Sequence, residues 1–242
     1  MVKNYKIDSW QKYFDKYNKN KLAIYFSFRA RNNIINCLKR LTISKKKNIN
    51  TKILDFGVSN SKNQDSNPFV KYFLSKRRKD IFGCGVDNVQ SVRKIYKNLK
   101  YKKIKPNHKL PYKGNFFSLS ISHAVFEHIG NKNRKFYLSE LIRVSEKVFI
   151  SIPNRYFPIE HHSNIPMLGY LPSKLIYKIL IFFNYNLFRS EKTLTFNSKN
   201  KFSKLASILD KKYNINFHLG YTGLKFGMFS SHFYIFIKKI NK

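Results

Sequence analysis

Acids are scarce in this chain. Its 242 residues hold 12 aspartates and glutamates against 48 lysines and arginines, a formal net charge of +36. Cysteine is nearly absent: Cys37 and Cys84 stand far apart with no metal-type spacing, which excludes a disulfide framework and a thiolate zinc site. Nine glycines and seven prolines form no repeat or low-complexity tract, and the GxGxxG dinucleotide fingerprint is missing. Long apolar runs are missing too. The longest, Leu175–Phe188, is broken by Lys178, Asn184 and Asn186, so no membrane span is expected. The opening MVKNYKIDSW lacks the apolar stretch of a signal peptide, and together these features predict a reduced, cytoplasmic protein.

What remains is a globular composition, 43% hydrophobic and 17% aromatic, enough for one core of ordinary size. The positive charge permits nucleic acid or an anionic membrane surface as partner. It is spread evenly among Asn, Ile, Phe and Tyr, with no basic tail or stripe, as drift toward AT-rich codons would produce. In that background the surviving acids are the informative residues. Asp55, Asp87, Glu127 and Glu160 each fall at or just after a predicted strand end.

The chain is organised around Leu110–Pro172. Phe117, Leu119 and Ile121 alternate with Ser118, Ser120 and Ser122, the period of a strand. Apolar positions from Lys132 to Val144 recur at helical spacing, and Val148–Ile152 reads as a second strand ended by Pro153. Strand, helix and strand in this order make a βαβ unit with parallel strands, whose ligands bind beyond the carboxyl ends. Those ends carry Ser122–His128 and Pro153–His162.

Upstream, residues 5–42 read as helical, with Ile24, Phe26, Phe28, Ile34, Ile35 and Leu38 facing the core, and Ser44–Asn50 as a basic linker. Strands are expected at Lys52–Phe56, Ile81–Val86 and Lys102–Ile104, with helices at Pro68–Ser75 and Ser91–Leu99. Downstream, helices at Pro172–Phe183 and Lys201–Tyr213 flank an irregular polar stretch, Asn184–Asn200. Strands at Ile215–Leu219 and His232–Lys238 close the chain. The alternation predicts an α/β domain over 46–242 with an N-terminal helical extension over 1–45. Asp55 followed by Gly57 would make an amide-lined pocket that a Cβ would block, and Asp87 could accept both hydroxyls of a ribose.

The series KILDFG, FGCGVDN, LPYKGNFFSLSISHAVFEHIG and ISIPNRYFPIEHHSNIPMLGYLP resembles a class I S-adenosylmethionine-dependent methyltransferase. Within that superfamily it is similar to small bacterial enzymes reading TPNRWFPIE after strand five. The resemblance covers roughly residues 50–175. It implies a Rossmann-like, doubly wound, seven-stranded sheet, mostly parallel with an antiparallel last strand, and S-adenosyl-L-methionine as cofactor. By motif match Asp55 and Gly57 would line the methionine end and Asp87 the ribose. Ser122, His123 and Ala124 would border the sulfonium, with Glu127 and His128 on the following turn. The loop after the first strand has less glycine than the family pattern, Lys105–Asn107 stands where an acid is usual, and Ser118 replaces an Asp.

A methyl acceptor with an oxygen or nitrogen nucleophile calls for a base, and His161, His162, His123 and His128 are candidates, His161 first. Arg155 could bind an anionic acceptor group. His123, Glu127 and His128 match no standard zinc spacing and are expected to be satisfied by hydrogen bonds, so no metal is expected. The expected acceptor is a small molecule such as a sugar or lipid precursor. The alternatives are an RNA acceptor, a non-catalytic binding module of the same fold, and peripheral membrane contact through Leu175–Phe188.

Overall fold

The computed structural model describes residues 21–42, 51–60 and 66–240. The predicted linker Ser44–Asn50 and the helical expectation over 5–20 lie outside them. In chain order the elements are α1 (Lys21–Thr42), β1 (Ile53–Phe56), α2 (Pro68–Ser75), β2 (Ile81–Gly85), α3 (Val89–Ile95), β3 (Lys100–Lys103) and β4 (Phe117–His123). There follow α4 (Asn131–Val144), β5 (Ser145–Pro153), α5 (Ser173–Phe182), α6 (Lys199–Tyr213), β6 (Ile215–Phe226) and β7 (Phe229–Lys239).

The seven strands form one sheet in the order β3-β2-β1-β4-β5-β7-β6. Strands β1 to β5 pair in parallel, while β7 runs antiparallel to β5 and β6. This is the expected doubly wound, Rossmann-like sheet. The chain starts at the centre, winds outward to β3, then returns to continue on the other side of β1. The point of reversal lies between β1 and β4, where a crevice opens at the carboxyl ends.

Successive residues of each central strand serve opposite layers. Leu54, Phe56, Val148, Ile150 and Ile152 join α4 and α6 in one core. Ile53, Ile121 and Phe149 join α1, α2 and α3 in the other. Both faces are therefore covered, as parallel sheets require. The serine side of β4 is buried too: Ser120 and Ser122 are fully enclosed, so the alternation read from the sequence marks two buried faces and not a solvent face.

Several details differ from expectation, some for identifiable reasons. Strand β3 starts two residues early and buries only Tyr101, its lysines protecting a sheet edge. Helix α3 also starts two residues early, because the Asn88 side chain accepts from the Gln90 amide at 2.8 Å and caps it. Strands β6 and β7 form one long hairpin, broken by a register shift between Thr222 and Lys225 that hides the period-2 signal. Finally, α1 packs on β6, where Asn33 Nδ2 donates to the Gly223 carbonyl at 3.0 Å, and buries Ala30, Ile34, Ile35, Cys37 and Leu38. Phe26 and Phe28, expected to face the core, are exposed, and Ala30 is the first buried residue among the described side chains of this helix; the Ile24 side chain lies outside the described residues.

The segment between β5 and α6 builds a small core of its own from Leu168, Ile176, Leu180, Phe188, Leu194 and Phe196. It caps the carboxyl edge of the sheet. No described helix is long and apolar enough to cross a membrane. Because Ile34 is 1% exposed, Ile34→Ala should cost about 2–4 kcal/mol. Phe28→Ser should stay within about 0.5 kcal/mol. Urea unfolding of both variants checks the difference.

Candidate active site at the carboxyl edge of the sheet

Asp55 sits inside β1, opposite Gly83 of β2 and Ile121 of β4, and is 7% exposed. Burial pushes its pKa up to about 7, against the lowering effect of the Val70 amide. The carboxyl therefore lies in the crevice with one backbone donor and, among the described residues, no basic partner to hold its charge. Gly57 adopts φ +101°, and a Cβ there would lie 2.2 Å from Val125 Cγ2. Glycine is needed because the turn after β4 packs onto the turn after β1; the neighbour is Val125, where the sequence suggests a ligand. Asp87 is 6% exposed, and its Oδ2 accepts from the Asn60 amide at 2.7 Å, tying the loop after β1 to the end of β2.

The end of β4 is set by pairing register. His123 lies opposite Ser151 of β5, and Pro153 lies opposite His232 of β7. His123 Nδ1 meets Ser151 Oγ at 2.8 Å, and Ala124 follows with φ +52°, an uncommon value for a residue with a Cβ. The His232 ring centre lies 5.6 Å from that of His123 and 4.9 Å from that of His161. His161 Nε2 donates to the Ser231 carbonyl at 2.8 Å. Burial lowers all three imidazoles: His123 to about 3, His161 to about 4, and His232 well below its ordinary value; repulsion from Arg31 and His161 adds to the effect at His123 and His232, while at His161 the Glu160 charge opposes it and His162 adds to it. At neutral pH they are uncharged donors and acceptors, not bases poised near 7 as expected for His161. Ser122, opposite Ile150 and so on the other face of β4, is also fully buried.

A second cluster lies on the turn after β4. Glu127 is 2% exposed, and neither carboxylate oxygen has a hydrogen-bond partner among the described residues. Burial raises its pKa to about 7, with the His162 charge opposing. His128 Nδ1 donates to the Thr193 carbonyl at 3.0 Å, and burial lowers this imidazole to about 3. The His128 and His162 ring centres are 5.3 Å apart. His162 Nδ1 meets Glu160 Oε1 at 2.8 Å, while Glu160 Oε2 accepts from the His162 amide and from the Ser163 amide and hydroxyl. Burial opposes the charges of this pair, but their contact wins: Glu160 falls to about 2 and His162 rises above its ordinary value.

The sequence shows the strap over this cluster only as irregular polar chain, which hides its role. Thr195 donates to the Glu127 carbonyl from both its amide and its hydroxyl, each at 2.7 Å. Asn197 Nδ2 donates to the Thr195 carbonyl at 2.9 Å, and the Asn197 carbonyl accepts from the Arg155 amide at 2.9 Å. Arg155 spends its guanidinium on the cap: Nε and Nη2 donate to the carbonyls of Gly169 and Leu171 at 2.8 and 2.7 Å. Between strap and strand ends lies a cavity of about 20 Å³ lined by Glu127, Asn154, Arg155, Glu160, His161, His162 and Asn197.

The structure thus brings His123, His161 and His232 into one group and Glu127, His128, Glu160 and His162 into another. Asp55, Gly57 and Asp87 stand on the β1–β2 side. His232, Thr195 and Asn197 carry no local signal in the sequence. What could have found His232 is that five of the chain's seven histidines lie here, once register is known.

Comparison with known proteins adds the fold. No protein-family model and no curated protein matches the sequence. Among solved structures, a SAM-dependent methyltransferase from Thermotoga maritima, described as a possible histamine N-methyltransferase, aligns at TM-score 0.57 and 13% identity, covering 96% of this chain and 98% of that one. The plantazolicin methyltransferase BpumL, bound to a monoazolic desmethylPZN analog and SAH, aligns at 0.57 and 17%, covering 96% and 91%. The methyltransferase domain of bacterial CtHen1 aligns at 0.55 and 13%, covering 88% and 100%. The chain has the class I methyltransferase fold. At these identities the likeness establishes architecture alone.

In this methyltransferase fold the buried Asp55 makes stability depend on pH. A folded pKa above the ordinary carboxylate value favours the folded state most below about 4 and loses that contribution as pH rises toward 7. Wild type should lose on the order of 2–4 kcal/mol between pH 4 and 8 from this group. Asp55→Asn should remove most of that loss. Urea titrations at both pH values check it, and equal slopes for the two proteins would refute it.

Proposed function

We propose that the chain is an S-adenosyl-L-methionine-dependent methyltransferase acting on a small-molecule acceptor. The observation that carries this reading is the set of acids at the switch point. In a chain with net charge +36, Asp55 in β1 and Asp87 just after β2 are both buried. Asp55 would face the ammonium end of the cofactor, which supplies the counter-charge the carboxyl lacks. Asp87, at the end of β2, would take the ribose hydroxyls. Ser122, His123 and Ala124 would border the sulfonium. The Pro153–Glu160 segment, similar to the TPNRWFPIE pattern, supports placing the acceptor between the ends of β4 and β5 and the cap.

The bound cofactor supplies an electrophilic methyl group for in-line displacement. The protein's share is to hold the acceptor nucleophile on the far side of that methyl and to keep water out. The cap is built for enclosure, since Arg155 fastens it through two carbonyls and the strap closes on Glu127. His123, His161 and His232, neutral at pH 7, can orient an acceptor hydroxyl or amine by hydrogen bonding. Arg155 contributes by shaping the cap.

The charge favours RNA as a second acceptor class. That reading requires nucleic-acid binding that weakens by several decades between low and moderate salt. Absent or salt-independent binding removes it.

Calorimetric titration with S-adenosylmethionine and S-adenosylhomocysteine tests the proposal. Micromolar binding is expected, weakened at least tenfold by Asp87→Ala. Affinity for S-adenosylmethionine should rise between pH 5.5 and 7 and then level off, as Asp55 ionises. No heat with either ligand, from folded protein, would overturn the assignment.

A further inference from the structure

The cluster on the turn after β4 has the composition of a cation site. We propose that Glu127, His128 and His162 bind a divalent transition-metal ion. Their ligand atoms lie within 4.8 Å of one another. An ion held at about 2.1 Å from each is reached by side-chain shifts of less than about 1 Å. Two imidazoles and one carboxylate suit zinc, manganese, iron or cobalt, and disfavour calcium and magnesium, which prefer all-oxygen sites.

Three independent features point to an ion and not merely to a polar cluster. Both Glu127 side-chain oxygens are buried without a donor among the described residues, although Thr195 donates twice to the backbone carbonyl of the same residue. A doubly orphaned carboxylate is costly unless a cation completes it. The two imidazoles are also held through Nδ1 by acceptors. His128 Nδ1 is tied to the Thr193 carbonyl and His162 Nδ1 to Glu160, so each ring, when neutral, carries its lone pair on Nε2. A carbonyl and a carboxylate behind the ligating histidines are the usual supports of such sites. Third, Glu127, Glu160 and His162 line a cavity of about 20 Å³, room enough for a water or an ion.

Charge balance agrees. With both histidines neutral, as ligation requires, Glu127 and Glu160 carry two negative charges, which a divalent ion cancels inside a protein otherwise rich in positive charge. Asn154, Arg155 and Asn197 line the same cavity, so an open coordination position would face it and take an oxygen ligand, water in the resting protein. The pattern is invisible in sequence because His162 stands 34 residues beyond His128, and His123, which sequence spacing sets nearer to Glu127 and His128, turns toward Ser151 and His232.

The test uses tag-free, full-length protein stripped with a chelator and dialysed. Zinc and manganese titrations by calorimetry should show one site per chain, with the tighter ion at micromolar affinity or better. Cobalt should give visible d–d absorption that zinc displaces. Glu127→Gln and His162→Gln should each weaken binding at least a hundredfold, and Glu160→Gln about tenfold through His162. His108→Gln, at an exposed loop, should bind as wild type does. Circular dichroism confirms folding; if Glu127→Gln fails to fold, His162→Gln and Glu160→Gln carry the test. Binding weaker than millimolar by all three ions overturns the proposal, as does equal affinity in wild type and the folded variants. None of these readouts requires methyl transfer, so failure here leaves the cofactor assignment standing, and failure there leaves the ion site standing.

Discussion

The pairing of β4, β5 and β7 in one fixed register is what the site depends on. It sets His123 opposite Ser151 and Pro153 opposite His232, so three strands end together and present their polar residues at one edge. Sliding any strand by one residue would send Ser122, Ser151 or His232 to the opposite layer and break both cores. The cost of such a slip is high because Ile121, Phe149, Ile150 and Ile235 are fully buried. Hydrophobic packing therefore fixes the position of groups that contribute little packing themselves.

Upon this edge the cap adds enclosure. Thr195 grips the backbone carbonyl of Glu127 twice, and Arg155 clasps the turn near Leu168–Tyr170. Gly169 is required there, since a Cβ would lie 1.7 Å from the Arg155 carbonyl oxygen. Enclosure has electrostatic consequences. It drives His123, His161 and His232 to neutrality and holds Asp55 and Glu127 near protonation, while the contact between Glu160 and His162 keeps that pair charged. One edge thus holds groups of opposite tendency, and cationic ligands on the Asp55 and Glu127 sides would relieve the two strained carboxyls.

Much of this was legible in the chain. The sheet and its βαβ centre follow from the alternation at Phe117–Ser122 and the helical spacing up to Val144, because those signals are local. The acids at strand ends stand out because acids are few, and Asp55, Asp87, Glu127 and Glu160 are all buried. The strap was not legible. Thr195 and Asn197 are polar residues turned inward, and their partners lie 68 and 42 residues away at Glu127 and Arg155, a separation that no periodicity reports. His232 reads as one face of a strand, since only register shows that it meets His123 and His161. Phe26 and Phe28 mislead because apolar spacing shows which flank of a helix could pack, but not where its packing ends.

The central claim is that the β1–β4 crevice holds the nucleoside cofactor. Ultraviolet cross-linking of methyl-labelled S-adenosylmethionine to the intact protein, followed by digestion and peptide mapping, tests it most directly. Label in the peptides containing Asp55–Gly57, Asp87 or Ser122–Glu127, competed away by S-adenosylhomocysteine, is the predicted result. Label confined to peptides away from that edge, or label that the competitor leaves unchanged, would contradict it.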